Sequence, residues 1–147
     1  MCSRRRFFGW TMCSAAASLL VLGAGAGCGG VPTRLVTVKS GTGEGAIQLE
    51  VKNLTDVPIN SLFLAKSEEV SSQLDPDSPE GQKVWGADLL NAAIPTGKRV
   101  PVSVAGPGRW DCRALDRDGR YQHVAALKLE AGGRYILELQ QGGWRVQ

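Results

Sequence analysis

Beyond residue 28, the groups with the most reactive chemistry are one thiol and one imidazole, Cys112 and His123. The chain has four cysteines, the other three within its first 28 residues, and a single histidine. A cysteine activated by a histidine base is the nucleophile of one class of hydrolases. If Asp118-Gly119 forms a two-residue hairpin turn, Cys112 faces Ala125 and is a diagonal neighbour of His123, about 7–8 Å away. Because that distance is too long for a nucleophile and its base, we expect no catalytic residues and a buried, unreactive Cys112.

Acidic residues between positions 67 and 97 are the candidate cation ligands. They do not follow the Asp-x-Asp-x-Asp-Gly order of a calcium loop, and Asp116-x-Asp118-Gly119 is too short for one. A single histidine also excludes most histidine-based metal sites. We therefore expect no metal and no cofactor. The acidic residues of this stretch are Glu68, Glu69, Asp75, Asp77, Glu80 and Asp88.

Trp85 and Asp88 are the candidate binding residues of the same stretch, which is about 30 residues long and therefore often functional. Trp85 either stacks on a ligand or anchors the loop, and the anchor is favoured because an aromatic side chain buries about 150–250 Å². Asp88 either contacts a partner or caps a turn. Residues 85–90 could form one helical turn with Asp88 near its start.

Alternating apolar and polar residues predict the strands that position these groups. The clearest runs cover residues 47–51, 100–104, 110–114 and 135–139, and strands near 34–39, 59–66 and 120–129 bring the total to about seven. Glycine-rich turns separate them. The pattern predicts a single antiparallel β-sandwich of immunoglobulin-like type over residues 34–147, with a long loop or short helical turn at 67–97. Asp111 and Arg113 are expected on its solvent face as a surface ion pair.

The first 27 residues differ from the rest of the chain. They contain three arginines at positions 4–6, an apolar segment from about 11 to 22, and small residues that end at Cys28. This order is typical of a cleaved secretory signal. The apolar segment is too short for a spanning helix, which needs about 20 strongly apolar residues. Removing three of the 17 basic residues leaves 14, equal to the 14 acidic residues. A neutral domain excludes a basic nucleic-acid-binding face and predicts no polybasic surface for anionic lipid.

Two short motifs in this leader resemble known export signals. Residues 3–8 resemble the twin-arginine signal, in which Arg4, Arg5 and Phe7 occupy the characteristic positions. Ala26-Gly27-Cys28 resembles the end of a lipobox, which implies a lipid on the Cys28 thiol. Residues 24–26 also fit the ordinary signal peptidase, whose cut would release a soluble periplasmic protein.

These resemblances predict three parts: a cleaved signal peptide at 1–27, a short lipid-proximal tether at 28–33, and the sandwich domain. In bacterial lipoproteins, the absence of aspartate after the lipidated cysteine favours the outer membrane, and Gly29 stands there. We therefore expect a lipid-anchored protein of the cell envelope, facing the periplasm or the surface.

Residues 46–139 resemble a group of small exported bacterial domains. That group shares a Trp-Gly-x-Asp-x-Leu segment followed by Tyr-Asp-Leu-Arg-x-x-Asp-x-Asp-Gly. Here the first motif is residues 85–90 and the second begins at residue 110, with Trp110 replacing tyrosine and Cys112 replacing leucine. The resemblance implies a β-sandwich and transfers no activity.

The expected function is a non-enzymatic envelope lipoprotein, an accessory or protein-interaction module that meets the membrane through Cys28 and binds another envelope protein through loops or an edge strand. The alternative is a soluble periplasmic module that binds a small ligand or a cation with residues 67–97. A hydrolase would require a convergent polar pocket, for which no motif is present in the sequence.

Overall fold

We describe the fold from a computed structural model, in which residues 32–71 and 74–146 are described. The proposed signal peptide with Arg4, Arg5 and Phe7 lies outside these residues, as does Cys28. The elements are β1 (Arg34–Lys39), β2 (Gln48–Leu54), β3 (Ser61–Lys66), α1 (Pro79–Trp85), β4 (Arg99–Val102), β5 (Gly108–Leu115), β6 (Tyr121–Leu129), β7 (Arg134–Gln140) and a 3₁₀ turn at Gln141–Gly143.

The strands form two sheets, one with the order β1-β7-β2-β4 and the other with the order β3-β5-β6. Four of the strand pairs are antiparallel, and β2 pairs with β7 in parallel. The expected β-sandwich of about seven strands is confirmed, but the prediction that its strands pair antiparallel is wrong for β2 and β7. Alternation of apolar and polar residues carries no information on strand direction.

The core lies between the two sheets and contains the residues that the alternation assigned to the inner faces. Leu49 and Val51 of β2 and Leu137 and Leu139 of β7 belong to the same core cluster as Cys112 and Ala114 of β5. Their side chains are at most 2 % exposed. Burial of this apolar surface is the main stabilising contribution, at about 25 cal/mol per Å².

A second apolar cluster covers the outer face of the three-stranded sheet. Residues 67–71 and 74–90, here called the cover segment, fold back over that face. Trp85 packs on Phe63 and Ala65, and Leu74 joins the same cluster. The middle of the three-stranded sheet is therefore buried on both sides, while no segment among residues 32–71 and 74–146 covers the outer side of the four-stranded sheet.

The helix of the cover segment begins earlier than predicted. Its N-cap is Ser78, whose hydroxyl accepts a hydrogen bond from the Gly81 N–H, and Pro79 occupies the first turn. The helix ends at Trp85, so the prediction of a turn starting near Asp88 is wrong. Serine followed by proline is a strong helix start, because the serine oxygen satisfies a free N–H and proline lacks one. Within residues 32–71 and 74–146, no helix has the length and apolar character to span a membrane.

Candidate functional site

The register of the β5–β6 hairpin differs by one residue from the prediction. Cys112 pairs with Val124, and His123 pairs with Arg113. Since neighbouring residues of a strand point to opposite faces, the Cys112 thiol lies in the core and His123 lies on the outer face. The predicted sharing of one face by Cys112 and His123 is therefore wrong, and the two cannot form a dyad.

The hairpin turn causes this shift, because its loop is longer than two residues. The Asp116 N–H donates to the Arg120 carbonyl, and the Asp116 carboxylate accepts the N–H groups of Asp118 and Arg120. Gly119 has a positive φ of 81°. The aspartate thus organises the loop by local side-chain bonds, and the expected two-residue turn at Asp118-Gly119 is wrong.

Cys112 is 1 % exposed. Burial raises the pKa of its thiol to about 12, and the neighbouring charge of Asp111 acts in the same direction. A thiolate is the reactive form of cysteine. The side chain therefore serves as a small apolar group in the core.

Asp111 and Arg113 are 5 % and 4 % exposed, so their predicted place on a solvent face is wrong. The cover segment removes both from water. One carboxylate oxygen of Asp111 accepts the Ser67 hydroxyl at 2.6 Å and the Ala126 N–H at 3.0 Å. The other lies 2.8 Å from His123 Nε2. The bond to Ala126 fixes the bulge of β6, where Ala126 has a positive φ of 55°.

The hydrogen bonds also set the ionisation of Asp111. Burial by itself would raise the pKa of this carboxyl, because it disfavours the charged form. The bonds from the Ala126 N–H, the Ser67 hydroxyl and His123 oppose burial and hold the pKa below its usual value. Asp111 is therefore a carboxylate at neutral pH and a fixed acceptor beneath the cover segment.

The order of these groups differs from that of a catalytic triad. In a triad, histidine stands between the serine and the carboxylate and takes the serine proton. Here the carboxylate of Asp111 stands between Ser67 and His123 and accepts the hydrogen bond of the serine hydroxyl directly. The arrangement attaches the start of the cover segment to β5 and β6.

The middle of the cover segment is attached by Trp85 and Arg113. The Leu74 carbonyl accepts the indole N–H of Trp85 at 3.2 Å and Arg113 Nη1 at 2.9 Å. The Trp85 ring, 2 % exposed, meets the His123 ring edge-on with centroids 5.8 Å apart. The Arg113 guanidinium lies 4.3 Å from the centre of the Tyr121 ring. Trp85 thus occupies the position of a loop anchor.

Asp88 holds the segment to the edge of β3. One of its carboxylate oxygens accepts the N–H groups of Leu62 and Leu90, and the Leu89 N–H donates to the Leu62 carbonyl. These bonds occupy backbone groups at the edge of β3 that would otherwise be open to another strand. Asp88 therefore caps a turn, but one that follows the helix.

Three surface clefts border these elements. A cleft of about 290 Å³ contains His123 and lies between β6 and the C-terminal segment. A second, of about 440 Å³, lies against the cover segment and includes Asp77 and Asp88. A third, of about 510 Å³, lies at the opposite end of the sandwich, with Arg109, Lys128 and Glu130 at its rim.

Within the described residues, no group of three or more histidine, cysteine, aspartate or glutamate side chains is placed to hold a metal ion. Comparisons of the chain with protein-family models, with curated proteins and with solved structures find no match in any of the three.

Proposed function

We propose that the chain is a non-enzymatic lipoprotein of a bacterial cell envelope, whose sandwich presents the cover segment to another envelope protein. The observation that carries the proposal is the cover segment itself, which is acidic on its surface and attached to the sheet by Asp111, Trp85 and Asp88. Export and lipidation are argued from the leader and from Cys28.

The absence of catalysis is supported by the state of the reactive groups. The Cys112 thiol is enclosed in the core, with a pKa of about 12. The carboxylate of Asp111 accepts three hydrogen bonds within the fold, and Ser67 directs its proton to that carboxylate. A general base must reach the proton that it removes from a substrate. Asp111 and Ser67 instead hold the cover segment in place.

Protein binding is supported by the charge of the cover segment and by its hydrogen bonds to the sheet. It carries six carboxylates and one lysine, Lys83. Glu68, Glu69, Asp77, Glu80 and Asp88 are exposed. A surface that is already ordered loses less entropy on binding than a mobile loop does. Its charge would select a partner with a basic surface and accelerate the encounter.

The tether supports membrane attachment. Thr33 is already part of the fold, since its hydroxyl bonds to Gln122 and accepts the Gln140 N–H. It stands five positions after Cys28. At about 3.5 Å per residue, a lipid on Cys28 would hold the domain within roughly 20 Å of the bilayer.

The anchor is tested by mass spectrometry of the mature protein from envelope fractions, with Cys28→Ser and the matched Cys13→Ser variant. We expect a mature chain that begins at Cys28 with added acyl mass, unchanged by Cys13→Ser and lost in Cys28→Ser. An unmodified N-terminus at Gly27 would overturn the anchor and leave the soluble alternative.

The partner is tested by chemical cross-linking in intact cells, followed by purification of the tagged chain. We expect one discrete adduct that is lost in the double variant Glu68→Lys/Glu69→Lys. Glu44→Lys, an exposed carboxylate in the loop between β1 and β2, is the control and should retain the adduct. The same adduct in both variants, or none in wild type, would contradict a partner at the cover segment.

A further inference from the structure

The outer face of the four-stranded sheet, which no described segment covers, carries a cluster of ion pairs rich in cations. Glu138 of β7 contacts Arg34 of β1 at 2.8 Å and Lys52 of β2 at 3.9 Å. Glu50 of β2 contacts Arg99 of β4 at 3.1 Å and Arg134 of β7 at 3.4 Å. All four strands contribute, and four cations surround two carboxylates. We call these six residues the basic face.

The cations form the outer layer of the basic face. The side chains of Arg34, Arg99 and Arg134 are 63 %, 55 % and 44 % exposed, whereas those of Glu138 and Glu50 are 13 % and 23 % exposed. Lys52 is 35 % exposed. Anything that approaches this sheet therefore meets guanidinium and ammonium groups before it meets a carboxylate.

The acidic cover segment lies on the opposite side of the sandwich, outside the other sheet. A domain whose composition is balanced is thus electrically polarised, with an acidic surface on one side and a basic one on the other. The prediction of no polybasic surface for lipid followed from the total charge, and the total conceals this separation.

We propose that the basic face lies on the anionic lipid surface of the membrane to which the chain is tethered, so that the cover segment faces away from it. This inference rests on the proposed lipid anchor. Each lysine or arginine near an anionic bilayer contributes attraction on the order of 1 kcal/mol, and the tether keeps the domain within that range.

The position of the basic face beside the tether favours a lipid surface over a protein as its binding partner. β1 is the first strand after the tether and also the edge of the sheet that carries the basic face, so the face begins beside the anchor. A bilayer offers a continuous layer of phosphates, which guanidinium groups bind well. A second copy of the chain would instead bring its acidic cover segment, and would dimerise in detergent solution.

The test uses the exported mature protein reconstituted in vesicles of phosphatidylcholine, with or without 30 % phosphatidylglycerol. Acetylation of lysines is followed by mass spectrometry, with Lys52 reporting on the basic face and Lys83 on the cover segment. We expect acetylation of Lys52 to slow several-fold on the anionic vesicles while that of Lys83 is unchanged. About 1 M salt should remove the protection, because the screening length falls to about 3 Å.

Two double variants with equal charge change separate the basic face from total charge. Arg99→Gln/Arg134→Gln should abolish the protection, while Arg109→Gln/Arg117→Gln, at exposed sites outside the basic face, should retain it. Equal labelling of Lys52 on both vesicle types, equal loss in both variants, or protection that requires a dimer in detergent would overturn the proposal.

Failure of the anchor has a separate signature. Unlipidated protein would not float with phosphatidylcholine vesicles. It would still float with the anionic ones if the basic face binds lipid, and it would float with neither if it does not. Flotation with phosphatidylcholine vesicles thus tests the lipid anchor, and flotation of the unlipidated protein with anionic vesicles tests the basic face.

Discussion

The two outer faces of the sandwich differ in the burial of their charged residues. On the three-stranded sheet, Asp111 and Arg113 are buried beneath the cover segment, where the carboxylate accepts the Ser67 hydroxyl and Arg113 Nη1 donates to the Leu74 carbonyl. On the four-stranded sheet, Glu50 and Glu138 remain partly exposed and are surrounded by exposed cationic side chains. The same residue types therefore contribute stability on one face and surface charge on the other.

This difference in burial arises because the described part of the chain folds back over only one of the two outer faces. The segment between β3 and β4 covers one sheet, and no described segment covers the outer face of the other. Hydrogen bonds of a group that is removed from water matter most for stability, because a buried donor or acceptor without a partner lowers the free energy of unfolding by about 1–3 kcal/mol. Exposed ion pairs contribute about 0–1 kcal/mol. The comparison predicts that substitutions on the two faces differ severalfold in effect.

Trp85→Ala should produce the largest loss. It removes the buried indole that packs on Phe63 and Ala65 and the hydrogen bond to Leu74. We expect a loss of about 3–5 kcal/mol in the free energy of unfolding, measured by urea titration. The control is Leu89→Ala, since Leu89 is 40 % exposed and should cost under about 1 kcal/mol. Similar values for the two would mean that the cover segment is attached without Trp85.

Asp111→Asn should produce an intermediate loss of about 2 kcal/mol, because a neutral amide cannot accept the three bonds that the carboxylate accepts. The control is Asp118→Asn in the same hairpin, at an exposed position, with an expected change within about 0.5 kcal/mol. An equal loss in both variants would contradict a special role for the buried carboxylate.

Asp111→Asn should also change the pH dependence of stability. The folded pKa of Asp111 lies below its ordinary value of 3.8, so its contribution is present above about pH 4 and is lost as the pH falls through the folded pKa. Stability of the wild-type protein should decrease over that acid range, and Asp111→Asn should flatten the decrease. Parallel pH curves for the two proteins would exclude this source.

Glu138→Gln should have the smallest effect, about 0–1 kcal/mol, although it removes the partner of both Arg34 and Lys52. Its loss should shrink further in high salt, in which the exposed cations are screened. A loss as large as that of Asp111→Asn would mean that the basic face is structural.

The residues of the inner faces could be predicted from the sequence, whereas the burial or exposure of the outer faces could not. Alternation places Cys112 and Leu137 in the core because one side of each strand is uniformly apolar. It gives no information on whether the other side is later covered. The run Leu62-Phe63-Leu64-Ala65 was the available signal, since a strand that is apolar on both sides is typical of burial on both faces.

The start of the helix had a sequence signal, and the hairpin register had none that was decisive. Ser78-Pro79-Glu80 combines an N-cap, a proline at the first position and an acidic first turn, which together predict the observed start. Asp118-Gly119 equally suits a two-residue turn and the longer loop that Asp116 organises. The choice depends on tertiary contacts of β5 and β6, and it decides which face His123 occupies.

Thr33 joins the first described residues to both sheets, since its hydroxyl contacts Gln122 of β6 and Gln140 of β7. Gly143 packs against the same point, where a Cβ atom would come within 2.6 Å of the Thr33 hydroxyl oxygen. Mechanical tension applied through the N-terminus is consequently shared by the two halves of the sandwich before it reaches the β1–β7 ladder. If the chain is held at Cys28, a pull from a bound partner would meet its first resistance at this junction.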